Sequence, residues 1–364
     1  MLRTAVASAR VALVELRLRR PFITASGRRD RTVNAALFIR LRGGASGYGE
    51  ASTSIAQKRL TPAVLRGALE KMALRARGRD VRDWRALVDE AWKRHGAASP
   101  AVAAFEAALL SALAAEAGTN LAGWLGGASR RIETDLTISG SNDTGLTRAA
   151  AAEAAAAGFR ILKIKVSGRL ADDLARVRAV REAAPKARLL LDGNQGFTPA
   201  SALKFIETVL KTGAPVELFE QPTPKDDLRA LAFVALRCPV PVAADESVAT
   251  PSDAMRAMEA GVTAINIKLA KSGISRGLEI AAVARAAKLP LMIGCMAETA
   301  RGLAASVHLA LGTGFFTWCD LDSDLLLVED PKSRKLAGWT RRGRFASLEL
   351  SPNPSRDGSG DKSS

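Results

Sequence analysis

Residues 134–320 repeat one pattern eight times, in which a short apolar or β-branched run precedes an Ala-, Arg- and Leu-rich helical stretch. A strand and a helix at a steady period predict repeated βα units and a parallel sheet. Eight units favour a closed TIM-like barrel, with an open doubly wound sheet as the alternative. No G-x-G-x-x-G pattern opens a helix, which disfavours a dinucleotide-binding open sheet. The runs end near residues 139, 166, 192, 220, 245, 268, 294 and 320, which are 23–28 residues apart.

The segments outside this repeat have a different pattern of polar and apolar residues. Alternating polar and apolar residues at 11–19 and 33–42 predict two strands, separated by a Gly/Arg-rich loop at 21–31. Helical periodicity dominates from Thr61 to about Ala117, so residues 1–130 predict an α+β region. Residues 339–350 are consistent with a strand pair that returns to this region. The polar Pro/Gly/Ser-rich tail at 351–364 predicts disorder.

Composition excludes several protein classes. The chain is 48% hydrophobic and 25% charged, values that argue against collagen-like and intrinsically disordered proteins. Its two histidines argue against a His-rich metal site and against a Ser-His-Asp triad. The most apolar segment is interrupted by Glu106 and Glu116, which favours a buried helix over a membrane span. Three cysteines are too few for a disulfide framework and, without a signal peptide, predict a cytoplasmic protein.

The chain carries a formal net charge of +16, and the excess lies at its two ends. Basic surfaces can bind nucleic acid, but the chain has one tyrosine and no zinc-finger or helix-turn-helix pattern. We therefore expect neither a nucleic-acid nor a membrane partner. An arginine-rich soluble surface and a basic lobe that attracts an anionic small substrate remain as interpretations.

Three carboxylates stand at the ends of the third, fourth and fifth runs: Asp192, Glu220 and Asp245. Because chemistry in a barrel sits at the C-terminal ends of its strands, these side chains should converge. An all-oxygen ligand set without His or Cys suits Mg²⁺. The alternative is that each carboxylate caps the next helix, which is less natural for Glu220 before Gln221-Pro222.

Lysines flank these carboxylates. Lys163 and Lys165 share one face of the second strand, and Lys268, with Asn266, ends the sixth strand on the opposite side of the barrel. The arrangement favours proton removal beside a metal-bound carboxylate, with one lysine on each face of the resulting enediolate. Such a base needs its pKa lowered towards neutrality. The alternative for Lys163 and Lys165 is a strand end whose lysines reach solvent.

These motifs resemble the enolase superfamily, specifically its muconate-lactonizing subgroup and, within it, the dipeptide epimerases of the L-Ala-D/L-Glu type. The resemblance covers roughly residues 10–350. It implies a (β/α)7β barrel at 131–325, with an α+β capping domain formed by residues 1–130 and by a C-terminal segment at 326–350. The motifs are GYGEA (47–51), LKIKV (162–166), LDGNQGF (191–197), ELFEQP (217–222), ADES (244–247), INIK (265–268), IGCMAET (293–299) and DLD (320–322).

The resemblance also implies roles for individual residues. One Mg²⁺ per subunit would bind Asp192, Glu220 and Asp245, while Lys165 and Lys268 act as acid/base residues. Lys163 would assist at the substrate carboxylate. Further substrate contacts are implied for Thr137, Cys295, Met296 and Glu298, and support of the metal and lysine groups for Asn194, Glu246 and Asn266.

Two features bear on the substrate. Asp320 and Asp322 lie on one face of the eighth strand end, and in dipeptide epimerases such a pair resembles a clamp for the substrate ammonium group. An arginine in the loop at 21–31 would hold a glutamate side chain, and of Arg28, Arg29 and Arg31 we favour Arg29. The expected activity is epimerisation of the C-terminal residue of a dipeptide in murein metabolism. The resemblance leaves open whether the enzyme is a homo-oligomer.

Other functions stay open at this point. Members of the same subgroup include N-acyl amino acid racemases, cycloisomerases and o-succinylbenzoate synthases, and the D-x-D pair disfavours them. A non-catalytic basic binding protein is a remote alternative, which the complete set of carboxylates and lysines disfavours.

Overall fold

The structure is a computed structural model that describes residues 2–348. It contains one parallel sheet of eight strands and two antiparallel sheets of three strands each within the described residues. The predicted disordered tail at 351–364 and the last two residues of the C-terminal segment lie outside that range.

The N-terminal region is an antiparallel sheet covered by helices. Its strands β1 (Val6–Thr24), β2 (Gly27–Leu41) and β3 (Ser46–Ala51) pair in chain order. The long helix at its centre is apolar on every side and is buried among the sheet, its neighbouring helices and the barrel, as expected for the most apolar segment. The helices are α1 (Pro62–Ala76), α2 (Trp84–His95), α3 (Ser99–Glu116) and α4 (Leu121–Trp124).

Two glycines of the GYGEA motif allow α3 to lie directly on β3. A Cβ atom on Gly49 would stand 1.8 Å from the carbonyl oxygen of Ala104, and one on Gly47 would stand 1.9 Å from that of Ala108. No side chain fits at either position. The helical stretch Val81–Glu116, which contains α2 and α3, has the length and hydropathy of a membrane span, but 83% of its most apolar window is buried inside the protein.

The prediction of a loop at 21–31 is wrong, because this segment forms the tip of a long hairpin. Phe22 pairs with Arg29 and Thr24 pairs with Gly27, so only two residues make the turn. Gly27 has a φ of 142°, which favours glycine, and the register shift between Arg17 and Phe22 re-aligns the strands before the tip. The arginines are therefore held on paired strands above the barrel.

The expected (β/α)7β barrel is confirmed, with eight parallel strands and seven helices between them. The backbone N–H of Asp135 donates to the Cys319 carbonyl at 3.0 Å, which joins the first strand region to the last. The elements are β5 (Leu136–Ile138), α5 (Thr144–Ala156), β6 (Ile161–Lys165), α6 (Leu170–Ala183), β7 (Arg188–Asp192), α7 (Pro199–Lys211), β8 (Val216–Glu220), α8 (Leu228–Ala235), β9 (Val242–Ala244), α9 (Pro251–Ala260), β10 (Ala264–Lys268), α10 (Leu269–Ala286), β11 (Leu291–Gly294), α11 (Ala300–Thr313) and β12 (Trp318–Asp320).

The interior of the barrel has an apolar part and a charged part. Ile161, Leu190 and Leu218 form one buried cluster with Met292 and Trp318, and these residues lie before the C-terminal ends of their strands. Charged side chains occupy the last positions of four of these strands: Lys165 on β6, Asp192 on β7, Glu220 on β8 and Asp320 on β12. This division places all of the polar chemistry at one mouth of the barrel.

The C-terminal segment differs in part from expectation. Val328 donates its backbone N–H to the Arg17 carbonyl at 2.9 Å, so this stretch does return to the capping sheet. The strand pair that follows instead joins β4 (Arg131–Glu133), which directly precedes the first barrel strand, and the buried Trp339 indole donates to the Ala300 carbonyl at 2.8 Å. The elements are β4 (Arg131–Glu133), α12 (Ser323–Leu326), α13 (Pro331–Arg334), β13 (Trp339–Arg342) and β14 (Phe345–Leu348).

Candidate active site

The candidate site lies between the barrel mouth and the hairpin of the capping domain. A cavity of about 500 Å³ reaches from Phe22 and Arg29 on the hairpin to Lys165, Asp245 and Lys268 at the strand ends. Strand alternation turns both lysines of β6 inward, because residues two apart share a face. The parallel register sets Lys165 beside Asp192, and Asp192 beside Glu220.

Lys163 lies at the centre of the carboxylates. Its Nζ atom is 2.6 Å from Glu220 Oε2, 2.6 Å from Asp320 Oδ2 and 3.1 Å from Asp192 Oδ2. The side chain is fully buried and does not line the cavity. Three protein carboxylates therefore enclose its ammonium group, and its implied role at the substrate carboxylate stays a prediction.

Lys165 and Lys268 both line the cavity, from opposite sides. Lys165 Nζ lies 2.6 Å from Asp192 Oδ2, and Lys268 Nζ lies 2.7 Å from Asp245 Oδ2. Their strands β6 and β10 are four positions apart in an eight-stranded sheet, which is the largest separation that a closed barrel allows. A molecule in the cavity would meet one lysine on each face.

Burial and neighbouring charges both shift the pKa values of these groups. Burial disfavours the charged form of Lys268, but Asp245 and Glu220 outweigh it and hold its pKa well above the ordinary value. The nearby carboxylates thus stabilise the ammonium form, and the expected lowering of a lysine pKa by a neighbouring ammonium group and a divalent cation stays a prediction for Lys268. Burial and the charge of Asp192 raise the pKa of Glu220 to about 7.

The carboxylates fit a magnesium site by their donor chemistry. Asp192, Glu220 and Asp245 are buried, come from three adjacent strands and offer only oxygen ligands. Among the described residues, the nearby Asn194 Oδ1 and Glu246 Oε2 are buried without a hydrogen-bond partner. Oxygen donors that converge in a buried site match what Mg²⁺ binds in proteins.

Two of the predicted supporting residues donate hydrogen bonds to these carboxylates. Asn266 donates from Nδ2 to Glu220 Oε1 at 2.8 Å, and the backbone N–H of Asn194 donates to Asp192 Oδ1 at 3.0 Å. Burial and the Asp245 charge raise the pKa of Glu246 to about 7. Asn194 and Glu246 also line the cavity.

Sequence reasoning missed two residues at this site. Lys271 on α10 lies with its Nζ atom 2.7 Å from Asp245 Oδ1 and also contacts the Asp245 carbonyl. Gln221 accepts at Oε1 from the backbone N–H of Asp245 at 2.8 Å, and its own φ is 32°. Positive φ values outside glycine cluster at functional sites, but this strain has no sequence signal.

The predicted ammonium clamp is a compact acidic group at the end of β12. Thr137 donates its backbone N–H to Asp322 Oδ2 at 2.6 Å, and its hydroxyl lies 3.5 Å from Asp320 Oδ1. The Cys295 sulfur and one oxygen of each aspartate lie within 4.8 Å of one another. Burial and the two carboxylates raise the pKa of the Cys295 thiol well above its usual value.

The loop after β11 is held by the capping domain. Met296 lines the cavity, whereas Glu298 does not, because its carboxylate turns back to accept the Met296 N–H at 3.1 Å. The implied substrate contact of Glu298 stays a prediction. Glu50 of the GYGEA motif accepts hydrogen bonds from the Thr299 N–H at 3.1 Å and the Thr299 hydroxyl at 2.5 Å.

One of the three hairpin arginines enters the cavity. Arg29 is half-buried, donates to the Thr53 carbonyl at 2.8 Å and lines the cavity wall. Arg28 and Arg31 point away from the cavity into surface ion pairs, with Asp30 and Glu15 respectively. The favoured residue is thus the one that the structure places at the cavity.

The barrel region matches a known family. A family model described as enolase C-terminal domain-like matches residues 146–337, which is more than half of the chain. The chain belongs to this family. The match runs from within α5 to the residues just before β13, and so includes both lysine strands and the three carboxylate positions.

Relatives of this enolase-like chain are epimerases by name. An aromatic dipeptide epimerase from Herpetosiphon aurantiacus is 39% identical over 324 residues, or 87% of this chain and 90% of the relative. An L-Ala-D/L-Glu epimerase from Thermotoga maritima is 38% identical over 331 residues, or 88% of this chain and 94% of the relative.

Solved structures of the family agree with the fold. The dipeptide epimerase from Enterococcus faecalis, complexed with Mg and the dipeptide L-Leu-L-Tyr, superposes with a TM-score of 0.88 at 30% identity. The similarity covers 94% of this enolase-like chain and 97% of that chain. The capping domain is therefore shared along with the barrel.

Proposed function

We propose that the protein is a Mg²⁺-dependent dipeptide epimerase that inverts the α-carbon of the C-terminal residue. The observation that carries this proposal is the placement of Lys165 and Lys268 on opposite sides of the carboxylate group. Inversion needs a proton donor on one face of the carbon and a base on the other. The relatives named dipeptide epimerases support the same reaction.

The reaction is a proton transfer between the two lysines by way of the substrate. The C–H bond at the α-carbon breaks, its proton goes to the Nζ atom of one lysine, and the electron pair moves into the carboxylate as an enediolate. The other lysine then delivers a proton to the opposite face. When bound by Asp192, Glu220 and Asp245, Mg²⁺ supplies positive charge beside the substrate carboxylate.

A free N-terminus completes the substrate description. The Asp320 and Asp322 pair offers a negatively charged, buried wall that suits the α-ammonium group of a dipeptide. Substrates of N-acyl amino acid racemases have no cation at this position. The second candidate, N-acyl racemisation, is therefore disfavoured by the charge of this wall.

The side chain at the epimerised position is proposed to be acidic, as in L-Ala-D/L-Glu. Arg29 supports this proposal, because its guanidinium group is the one from the hairpin that lines the cavity. A role in murein peptide metabolism in the cytoplasm follows as a proposal from that substrate class. Relatives with aromatic and with glutamate-type names are almost equally similar to this chain, so they do not select between the two classes.

A dipeptide library in D₂O tests the function directly. The protein with Mg²⁺ should add one deuterium to the α-carbon of the C-terminal residue, seen as a mass gain and as loss of the α-proton signal. Dipeptides with C-terminal Glu should exchange fastest. Exchange with N-acyl amino acids but with no free dipeptide would replace this proposal by the racemase alternative.

A further inference from the structure

A buried ion pair on α6 lies beneath the loops that follow the first two barrel strands. Arg176 Nη1 is 2.6 Å from Asp173 Oδ1, and the two side chains are 1% and 0% exposed. An aspartate and an arginine three residues apart on a helix are ordinarily a surface pair. Here both charges have been removed from water, which is costly unless every donor and acceptor is satisfied.

The pair satisfies its hydrogen bonds on the backbone at two strand ends. Arg176 donates to the Lys165 carbonyl at 3.1 Å and to the Ser141 carbonyl at 3.0 Å. Asp173 accepts from the backbone N–H groups of Ser167, at 2.9 Å, and Gly168, also at 2.9 Å. One guanidinium and one carboxylate thus tie the segment after β5 to both sides of the junction where β6 ends.

The position of this junction sets the backbone position from which the Lys165 side chain extends. Arg176 holds the Lys165 carbonyl directly, and Gly140, whose carbonyl also accepts from Arg176 at 3.3 Å, packs against Lys165. A Cβ atom on Gly140 would stand 3.6 Å from the Lys165 Cβ, which shows how closely the two segments approach. A shift of the segment after β5 would therefore move the start of the lysine side chain.

We propose that Arg176, oriented by Asp173, is a positioning residue that fixes where the Lys165 side chain lies in the cavity and does not affect the position of Lys268. Lys268 ends β10 on the other side of the barrel, and none of the hydrogen bonds of Arg176 or Asp173 within residues 2–348 involves β10. The proposal rests on the proposed function, because it assumes that the two lysines serve opposite faces of the substrate.

The decisive variant is Arg176→Lys, which keeps the charge beside Asp173 but cannot reach several carbonyls at once. Exchange of the α-proton in D₂O is followed separately for each epimer of one dipeptide. The epimer that depends on Lys165 is identified with Lys165→Ala. Its exchange should fall about 10- to 100-fold, because displacements near 1 Å have effects of this size, while the other epimer changes less than about threefold.

A second variant and a matched control accompany this measurement. Asp173→Asn keeps the shape of the carboxylate but removes its charge, and it should produce the same one-sided loss. Arg341→Met removes another buried ion pair, in which Arg341 lies 2.7 Å from Asp324. Arg341 also contacts the Leu321 carbonyl, beside the ammonium clamp of Asp320 and Asp322. Because both epimers use that clamp, the control should affect them equally.

The outcomes separate the inference from the function on which it rests. Equal losses for both epimers in Arg176→Lys and in Asp173→Asn, or no loss in either, would overturn the positioning role. If Arg176→Lys does not fold, the result with Asp173→Asn decides in the same way. Absence of exchange in the parent enzyme with every dipeptide would instead refute the proposed function.

Discussion

The ammonium group of Lys163 lies 2.6 Å from the carboxylate of Asp320. This contact joins the carboxylates proposed to bind the metal to the pair proposed to bind the substrate N-terminus. Lys163 therefore contacts both groups of carboxylates, and a change of charge in one group is expected to affect the other. The predictions below separate their contributions.

Removal of a single metal carboxylate should abolish most of the activity. Asp192→Asn, Glu220→Gln or Asp245→Asn should each lower the rate about 10²–10³-fold, because the enediolate loses electrostatic stabilisation. The measurement is α-proton exchange in D₂O over a Mg²⁺ titration. Full turnover after exhaustive chelation would contradict the metal assignment.

The two lysines should divide the reaction by stereochemistry. Lys268→Ala should still exchange the α-proton of one epimer while failing to invert it, and Lys165→Ala should do the same for the other epimer. Separate exchange measurements on the two pure epimers check this. Equal losses of exchange from both epimers in both variants would favour one base with the second lysine as electrostatic support.

The ammonium clamp should appear first in KM. Asp322→Asn should raise KM for a free dipeptide, since a hydrogen bond to a charged group contributes about 1.5–3 kcal/mol. An N-acetylated dipeptide is the control, because it has no ammonium group and should lose much less. A variant that affects the two substrates equally would remove the clamp from the mechanism.

The same residue predicts a pH dependence. Burial and the charge of Asp320 raise the pKa of Asp322 to about 6, so Asp322 is ionised above this pH and neutral below it. The kcat/KM for a free dipeptide should therefore fall as the pH drops through about 6, since this ratio reports groups of the free enzyme. Asp322→Asn should lack this decrease. A decrease of the same size in the variant would assign it to another group.

Arg29 should decide the preference for an acidic side chain. Arg29→Met should lower kcat/KM for a dipeptide with C-terminal Glu and leave one with an apolar C-terminal residue nearly unchanged. Arg28→Met and Arg31→Met are matched controls, because their side chains are more than 60% exposed in surface ion pairs. If all three variants behave alike, the effect is the general charge of the hairpin.

Glu50 should connect the stability of the fold to the cavity loop. Glu50→Gln leaves donors of Asn34, Tyr48 and Thr299 competing for one carbonyl oxygen, so we expect a loss of about 1–3 kcal/mol in the free energy of unfolding. Urea unfolding measures it. Glu70→Gln, at an exposed pair with Arg66, should change stability by less than about 0.5 kcal/mol. Comparable losses in the two variants would contradict this role of Glu50.

The local pattern of the chain was sufficient to predict the barrel and the residues at its mouth. The steady strand-helix period predicts parallel strands, and parallel strands end at one rim, so Asp192, Glu220 and Asp245 had to meet there. The inward direction of Lys165 follows from the two-residue alternation of a strand. Both arguments need only short stretches of sequence.

The hairpin shows where local reasoning failed. The segment at 21–31 has the Gly and Arg content of a loop, but pairing between Phe22 and Arg29 carries the strands to its tip. The position of this hairpin against the barrel selects Arg29 as the arginine at the cavity. No local pattern distinguishes Arg29 from Arg28 or Arg31, because the choice depends on where the hairpin docks.

The sequence alone therefore determined the repeat, the order of the charged residues and the rim on which they stand, since these follow from chain periodicity. The tertiary structure decided which charges touch one another. Lys163 meets Asp320, Glu50 meets Thr299 and Arg176 meets the Lys165 carbonyl. Two of these contacts join residues more than 150 positions apart, and the third joins a helix to the strand before it. Their partners are set by how the layers pack, which no sequence period records.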